Sequence, residues 1–354
     1  MRNFESGIHA ATSPEKISMN TPNPQMQMIL DAHQELGPLP IETLTPDLAR
    51  LIPLPDKAAV SVYGHHFLKK ALTPFPVPVG KVEHGIFKTP SGNLLARIYT
   101  PKGEAPEGGW PVLVYFHGGG FVIATLDTYD SSCRALCDGA ACVVVSLHYR
   151  QAPEHPWPAA AEDAMAAYGW VLINAVPMGW NPALVAVGGE SAGGNLAAIV
   201  SLMARDRNEQ APVHQLLIYP VTDFVNGSKS PSALENATAQ PLNRAMLEWF
   251  YSYYLGDTER TQAYVSPLHA TSHGNLAPAT VILAQIDPLR SDGEAYANKL
   301  AEAGVPTSMR IYEGVTHEFF GLAGLVNEAT EAVAFASKEL RKSFDAIKAP
   351  VVAA

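Results

Sequence analysis

The sequence predicts an α/β fold, a mostly parallel sheet with helices on both faces. Three observations carry that expectation. Short β-branched apolar runs alternate along the chain with longer alanine-rich stretches of helical period, which is the pattern of successive βαβ units. Right-handed crossovers between such units place helices on both sides of the sheet. The 354-residue chain is 47% hydrophobic and 16% charged, enough apolar surface for a large core.

The elements follow in order. Residues 1–22 are polar and expected to be loose. The first twenty lack the apolar run of a secretory signal. From Gln25 to Leu72 the pattern is helical, broken by Pro38, Pro40, Pro46, Pro53 and Pro55, so two or three short helices are expected and no strand. Phe75–Gly80, FPVPVG, reads as a linker. VEHGIFKTPSGNLLARIYTP holds two alternating runs around SGN, a hairpin. PVLVYFH (Pro111–His117) and ACVVVSLHYR are buried strands, Pro158–Val176 is a helix, ALVAVGG is a strand, AGGNLAAIVSLMARDR is a helix and HQLLIYP is a strand. Strand ATVILAQID (Ala279–Asp287) and helix DGEAYANKLAEAG come next, with Gly304 as the helix stop. Strand TSMRIYE and a helix from Val326 to Lys348 end the pattern. Asp223–Ala263 shows no strand, and its NRAMLEWFYSYYLGD stretch is helical and aromatic. With the helical N-terminal region it is expected to form a second layer over one edge of the sheet.

Charge and composition narrow the function. The formal net charge of -10 argues against a nucleic-acid partner and supplies no polybasic patch for an anionic membrane. No run approaches the roughly 18 apolar residues of a spanning helix, so a soluble, cytoplasmic protein is expected. Cys133, Cys137 and Cys142 are too few and too clustered for a disulfide framework and are read as buried, reduced thiols.

The chemistry concentrates in VGGESAGG, Val187–Gly194. Gly189, Ser191 and Gly193 form G-x-S-x-G between a strand and a helix, the context that presents a serine oxygen on a sharp, strained turn. A serine needs a base and a group that orients the base. In the chain order Ser, acid, His, two later strand ends supply them: Asp287 and His317. Asp292 and Glu294 are the competing acids, expected in the first turn of the following helix. The other histidines lack the order or the strand-end position. FHGGGF (Phe116–Phe121) places three glycines at another strand end, where the amides of Gly118, Gly119 and Gly120, with that of Ala192, form an oxyanion site. His117 is read as a brace for that loop.

HGGGF, YRQAPEHPWPAA, GESAGG, DPL and THEFFG, in this order, resemble the hormone-sensitive-lipase-like branch of the α/β-hydrolases, the bacterial family IV esterases and lipases. The resemblance runs from Val82 to the C-terminal helix. It implies the α/β-hydrolase fold with a helical cap: residues 1–75 and 223–263 as cap segments, 76–222 and 264–354 as the two parts of the core. It implies a carboxylic-ester hydrolase with Ser191 as nucleophile, Asp287 as acid, His317 as base and no metal or cofactor. The aromatics of the cap stretch (Trp249, Phe250, Tyr251, Tyr253, Tyr254) suggest a closed apolar pocket that favours short to medium acyl esters. It also allows a homodimer edge at the last strand and helix. Three residues depart from the pattern: Glu190 where Asp is commoner, Gln151 for leucine, and Glu318 where many members carry glycine. Glu318 raises the pKa of His317 if its carboxylate lies close, but the favoured expectation is that it points to solvent. Amide, carbamate or lactone hydrolysis on the same three residues remains an alternative, as does a non-catalytic ligand-binding protein on this fold.

Overall fold

A computed structural model of the chain describes residues 21–67, 76–90 and 92–348. The expected loose N-terminus up to residue 20, Phe75 of the linker, the helical pattern beyond Phe67 and Ser91 of the SGN turn lie outside the described residues.

The described residues open with α1 (Pro24–Glu35), the short α2 (Pro46–Ala49) and α3 (Pro55–Phe67), each starting on a proline. Asn23 caps α1 by accepting from the Met26 amide at 2.9 Å. Strands β1 (Lys81–Thr89) and β2 (Gly92–Thr100) form the predicted hairpin, with Lys81 opposite Thr100 and Thr89 opposite Gly92. Then come β3 (Trp110–Phe116), α4 (Asp130–Ala140), β4 (Val143–His148), α5 (Ala159–Asn174), β5 (Trp180–Glu190), α6 (Ala192–Asp206) and β6 (Gln215–Ile218). Residues 223–263 carry α7 (Pro231–Glu235) and α8 (Arg244–Leu255) and no strand. β7 (Ala279–Ile286), α9 (Arg290–Glu302), β8 (Thr307–Thr316) and α10 (Asn327–Lys348) complete the order. Gly304, at φ +78°, ends α9 as expected: its amide bonds the Ala301 carbonyl, and the Val305 amide bonds that of Leu300.

The eight strands form one sheet in the order β1-β2-β4-β3-β5-β6-β7-β8. β1 and β2 run antiparallel, and every pair from β4 through β3 and β5 to β8 is parallel. From β3 the chain steps one way to β4, then reverses to β5 and onward. Right-handed crossovers therefore put α4 on one face and α5, α6 and α9 on the other. The packing agrees, since α4 meets α10 and α5 meets α6. This is the doubly covered α/β sheet that the alternation predicts.

One predicted gap was filled. The sequence pattern placed no helix between the strands now called β3 and β4, yet α4 stands there. Its segment DSSCRALCDGA is rich in residues that favour caps and turns. It is helical because Cys133, Leu136, Cys137 and Ala140 fall on one buried face. Two of the three thiols thus sit on α4, and all three are buried and unpaired. No helix among the described residues is long and apolar enough to cross a membrane.

The N-terminal and 223–263 segments meet above the strand ends. Trp249 Nε1 on α8 donates to the Leu44 carbonyl at 2.9 Å, and Asn243 Nδ2 donates to Glu42 Oε1 at 3.1 Å. Phe121 stacks on Tyr254 with ring centroids 3.7 Å apart, which ties α8 to the loop after β3.

Candidate active site

The parallel strands aim their C-terminal ends at one cavity of about 290 Å³, roofed by α8 and the N-terminal segment. Ser191 follows β5 and begins the turn into α6, at φ +56° and ψ −116°. A serine held there stores about 1–3 kcal/mol of backbone strain. The glycines explain how the turn closes. A Cβ on Gly193 would lie 1.8 Å from the Phe116 carbonyl oxygen, and one on Gly189 would lie 2.4 Å from the same atom. The elbow therefore packs directly on the end of β3, where the HGGG loop starts. Gly193→Ala is expected to lower stability by about 3 kcal/mol, because a backbone oxygen cannot move aside cheaply. The urea midpoint of the purified variant checks this.

Asp287 follows β7 and His317 follows β8. Asp287 Oδ2 lies 2.7 Å from His317 Nδ1, with Asp287 fully buried and His317 3% exposed. The Leu289 amide donates to the other carboxylate oxygen at 2.8 Å. Nδ1 must carry the proton in that bond, which leaves Nε2 as the free basic nitrogen of the neutral ring. Ser191, 6% exposed, and His317 line the same cavity. No hydrogen bond joins the Ser191 hydroxyl to the imidazole among the described residues; such contacts commonly tighten only when substrate binds. Asp292, the competing acid, is in the first turn of α9 as expected and accepts from the Asp223 amide instead. Glu294 pairs with Arg290 at 3.9 Å.

Burial disfavours the imidazolium of His317, but the Asp287 carboxylate together with Glu318 and Glu190 outweighs it, and the net shift is upward from 6.5. If His317 is the base, its neutral form is the active one. The kcat/KM profile is then expected to fall on acidification with an apparent pKa above 6.5. An acid limb at or below 6.5 counts against His317.

The HGGG loop is positioned from below. His117 is fully buried, with Nδ1 2.8 Å from the Gly118 carbonyl, and burial holds its pKa down to about 3. It stays neutral and braces the loop, as the sequence suggested. Tyr149 donates to the His117 carbonyl at 2.9 Å and stacks on the ring. Gly119 takes φ +96°, a conformation open to glycine and strained for other residues. Gly119 and Gly120 line the cavity, whereas Gly118 and Ala192 sit outside its lining. The amides of Gly119, Gly120 and Ala192 donate to no acceptor among the described residues.

Two acids flank Ser191 and His317. Glu190 is fully buried beneath Ser191 and accepts from the Tyr115 and Tyr219 hydroxyls. Burial, and then Glu318, push its pKa up to about 7. Glu318 corrects the sequence expectation. It does not point to solvent: Oε1 accepts from the Tyr129 hydroxyl at 2.7 Å and lies 3.8 Å from His317 Nε2. Tyr115, Tyr129 and Tyr219 were not singled out from the sequence, and an isolated tyrosine carries no signal that would have done so. Among the described residues, no group of three or more His, Cys, Asp or Glu is placed to hold a metal ion.

The sheet, the strained serine after β5 and the acid–imidazole pair after β7 and β8 define a hydrolase of the α/β class. Residues 113–321, more than half of the chain, match the family described as having the alpha/beta hydrolase fold. The chain is 43% identical over 240 residues to the carboxylic ester hydrolase LipN of Mycobacterium tuberculosis, covering 66% of this chain and 62% of that protein. It is 36% identical over 251 residues to an ethyl acetate hydrolase of Pseudomonas putida, covering 70% and 78%. Among solved structures, a thermostable esterase from Pseudomonas putida ECU1011 superposes with a TM-score of 0.81 at 30% identity, covering 94% and 99%. LAE6, an α/β-hydrolase enzyme from the metagenome of Lake Arreo, superposes with a TM-score of 0.80 at 37% identity, covering 92% and 99%. The chain belongs to the hormone-sensitive-lipase-like branch of the α/β-hydrolases, a branch of carboxylesterases.

Proposed function

We propose that the chain is a serine carboxylesterase acting on short to medium acyl esters. The observation that carries this is the buried 2.7 Å pair of Asp287 and His317, facing the cavity that Ser191 also lines. His317 Nε2 removes the Ser191 proton as the oxygen attacks the ester carbonyl. Asp287 keeps the Nδ1–H tautomer and stabilises the imidazolium. The amides of Gly119 and Gly120, joined by that of Ala192 at the start of α6, receive the oxyanion. The imidazolium protonates the leaving alcohol, and water then releases the acid from the acyl-enzyme by the same relay.

Residues 1–75 and 223–263 act as the cap in this reading. Leu242, Met246, Leu247 and Phe250 line the cavity from the 223–263 side, and a space of about 290 Å³ with apolar walls suits a short to medium acyl chain. A fluorophosphonate probe tests the proposal. One equivalent is expected on Ser191, located by peptide mapping of the labelled protein. An unlabelled Ser191 in folded protein overturns it.

A further inference from the structure

Glu318 sits where the backbone asks for another residue. Its φ of +69° and ψ of 6° are left-handed, a conformation glycine adopts freely and a branched or long side chain adopts at a cost. Glutamate is present nevertheless, and its carboxylate enters the cavity beside the reacting nitrogen. Oε1 is held by Tyr129. Oε2 accepts no hydrogen bond among the described residues, and the side chain is 22% exposed.

The rest of the cavity does not neutralise this charge. No lysine or arginine is among the described residues that line it. The other lining carboxylates are differently engaged: Glu190 is sealed by two tyrosines, Asp56 pairs with Lys57 at 3.0 Å, and Glu42 accepts from Asn243. The groups that face Glu318 electrostatically are His317, Tyr129, Asp56, Asp287, Glu190 and Tyr219, of which only His317 can become cationic.

In the ester mechanism Nε2 must reach first the serine oxygen and then the oxygen of the leaving alcohol. A carboxylate 3.8 Å from Nε2 therefore lies beside the first carbons of that alcohol. We propose that Glu318 is a specificity-determining residue that favours esters of amino alcohols, holding an ammonium group about two carbons from the leaving oxygen. The inference rests on the esterase reading of this site. The rings of Tyr129 and Phe250, which also line the cavity, offer further faces to a cation.

The test compares two acetate esters of matched shape, one of choline and one of 3,3-dimethylbutanol, with the full-length protein at pH 8. The wild type is expected to favour the choline ester in kcat/KM by about tenfold, equivalent to about 1.4 kcal/mol. Glu318→Gln is expected to bring the ratio close to one, and Glu318→Gly, suited to the left-handed backbone, gives the same readout should the glutamine variant fail to fold. A purely structural role for Glu318 alters both esters alike and leaves the ratio unmoved, which overturns the proposal. Ser191-dependent hydrolysis of the neutral ester with no preference for choline also overturns it, while leaving the esterase reading intact. Hydrolysis of neither ester, nor of any short p-nitrophenyl ester, removes both.

Discussion

Ser191→Ala is expected to lower kcat on a short p-nitrophenyl ester by about 10⁶-fold, the scale seen when the nucleophile of a serine hydrolase is removed. The substitution deletes one oxygen and changes little else. Alanine meets the same positive φ at much the same cost as serine, and the elbow glycines and the Phe116 contact are untouched. The fold and urea midpoint should therefore stay close to wild type, so that lost activity reports chemistry. Some residual rate above water is expected, because the amides of the HGGG loop still polarise a bound carbonyl. Equal rates in wild type and variant would falsify the assignment of Ser191 as nucleophile.

The parts of the site that the sequence exposes are those written in short chain segments. GESAGG is one: the elbow needs glycine at Gly189 and Gly193 because both approach the Phe116 carbonyl, so the packing constraint is visible as composition. Asp287 and His317 are legible because each follows an apolar strand within a few residues, and a parallel sheet gathers such ends on one side. The polar network around them is assembled across long sequence separations and leaves no local pattern. Tyr129 lies 189 residues from Glu318, and Tyr115 lies 75 residues from Glu190. The position of Glu318 is not legible either, because nothing nearby in sequence reveals that Tyr129 waits across the cavity. The sequence pattern hides α4 for a related reason. Its helical face is recorded in cysteines and small residues, and its stability comes from packing against the sheet and α10 and not from intrinsic propensity.

The second large effect separates Asp287 from its neighbour Asp292. Asp287→Asn is expected to lower kcat by about 10⁴-fold while preserving the fold. The carboxamide keeps the volume, but its single oxygen can serve either the Leu289 amide or His317 Nδ1, not both as the carboxylate does. Toward His317 it faces a choice. If its NH₂ points at Nδ1, the ring must place its proton on Nε2, and the nitrogen facing the cavity then has no lone pair with which to take the serine proton. If its oxygen points at Nδ1, the tautomer survives but the negative charge that stabilises the imidazolium is gone. That charge is also the largest of those that lift His317 above 6.5 against the opposing effect of burial. The residual activity of the variant should therefore show an acid limb moved to lower pH, a sign that loss of structure cannot produce. Asp292→Asn touches no atom of the imidazole, since the Asp292 carboxylate accepts from the Asp223 amide instead. Its pH profile should match that of the wild type. If instead Asp292→Asn shifts the acid limb and Asp287→Asn does not, the acid of this site has been assigned to the wrong residue.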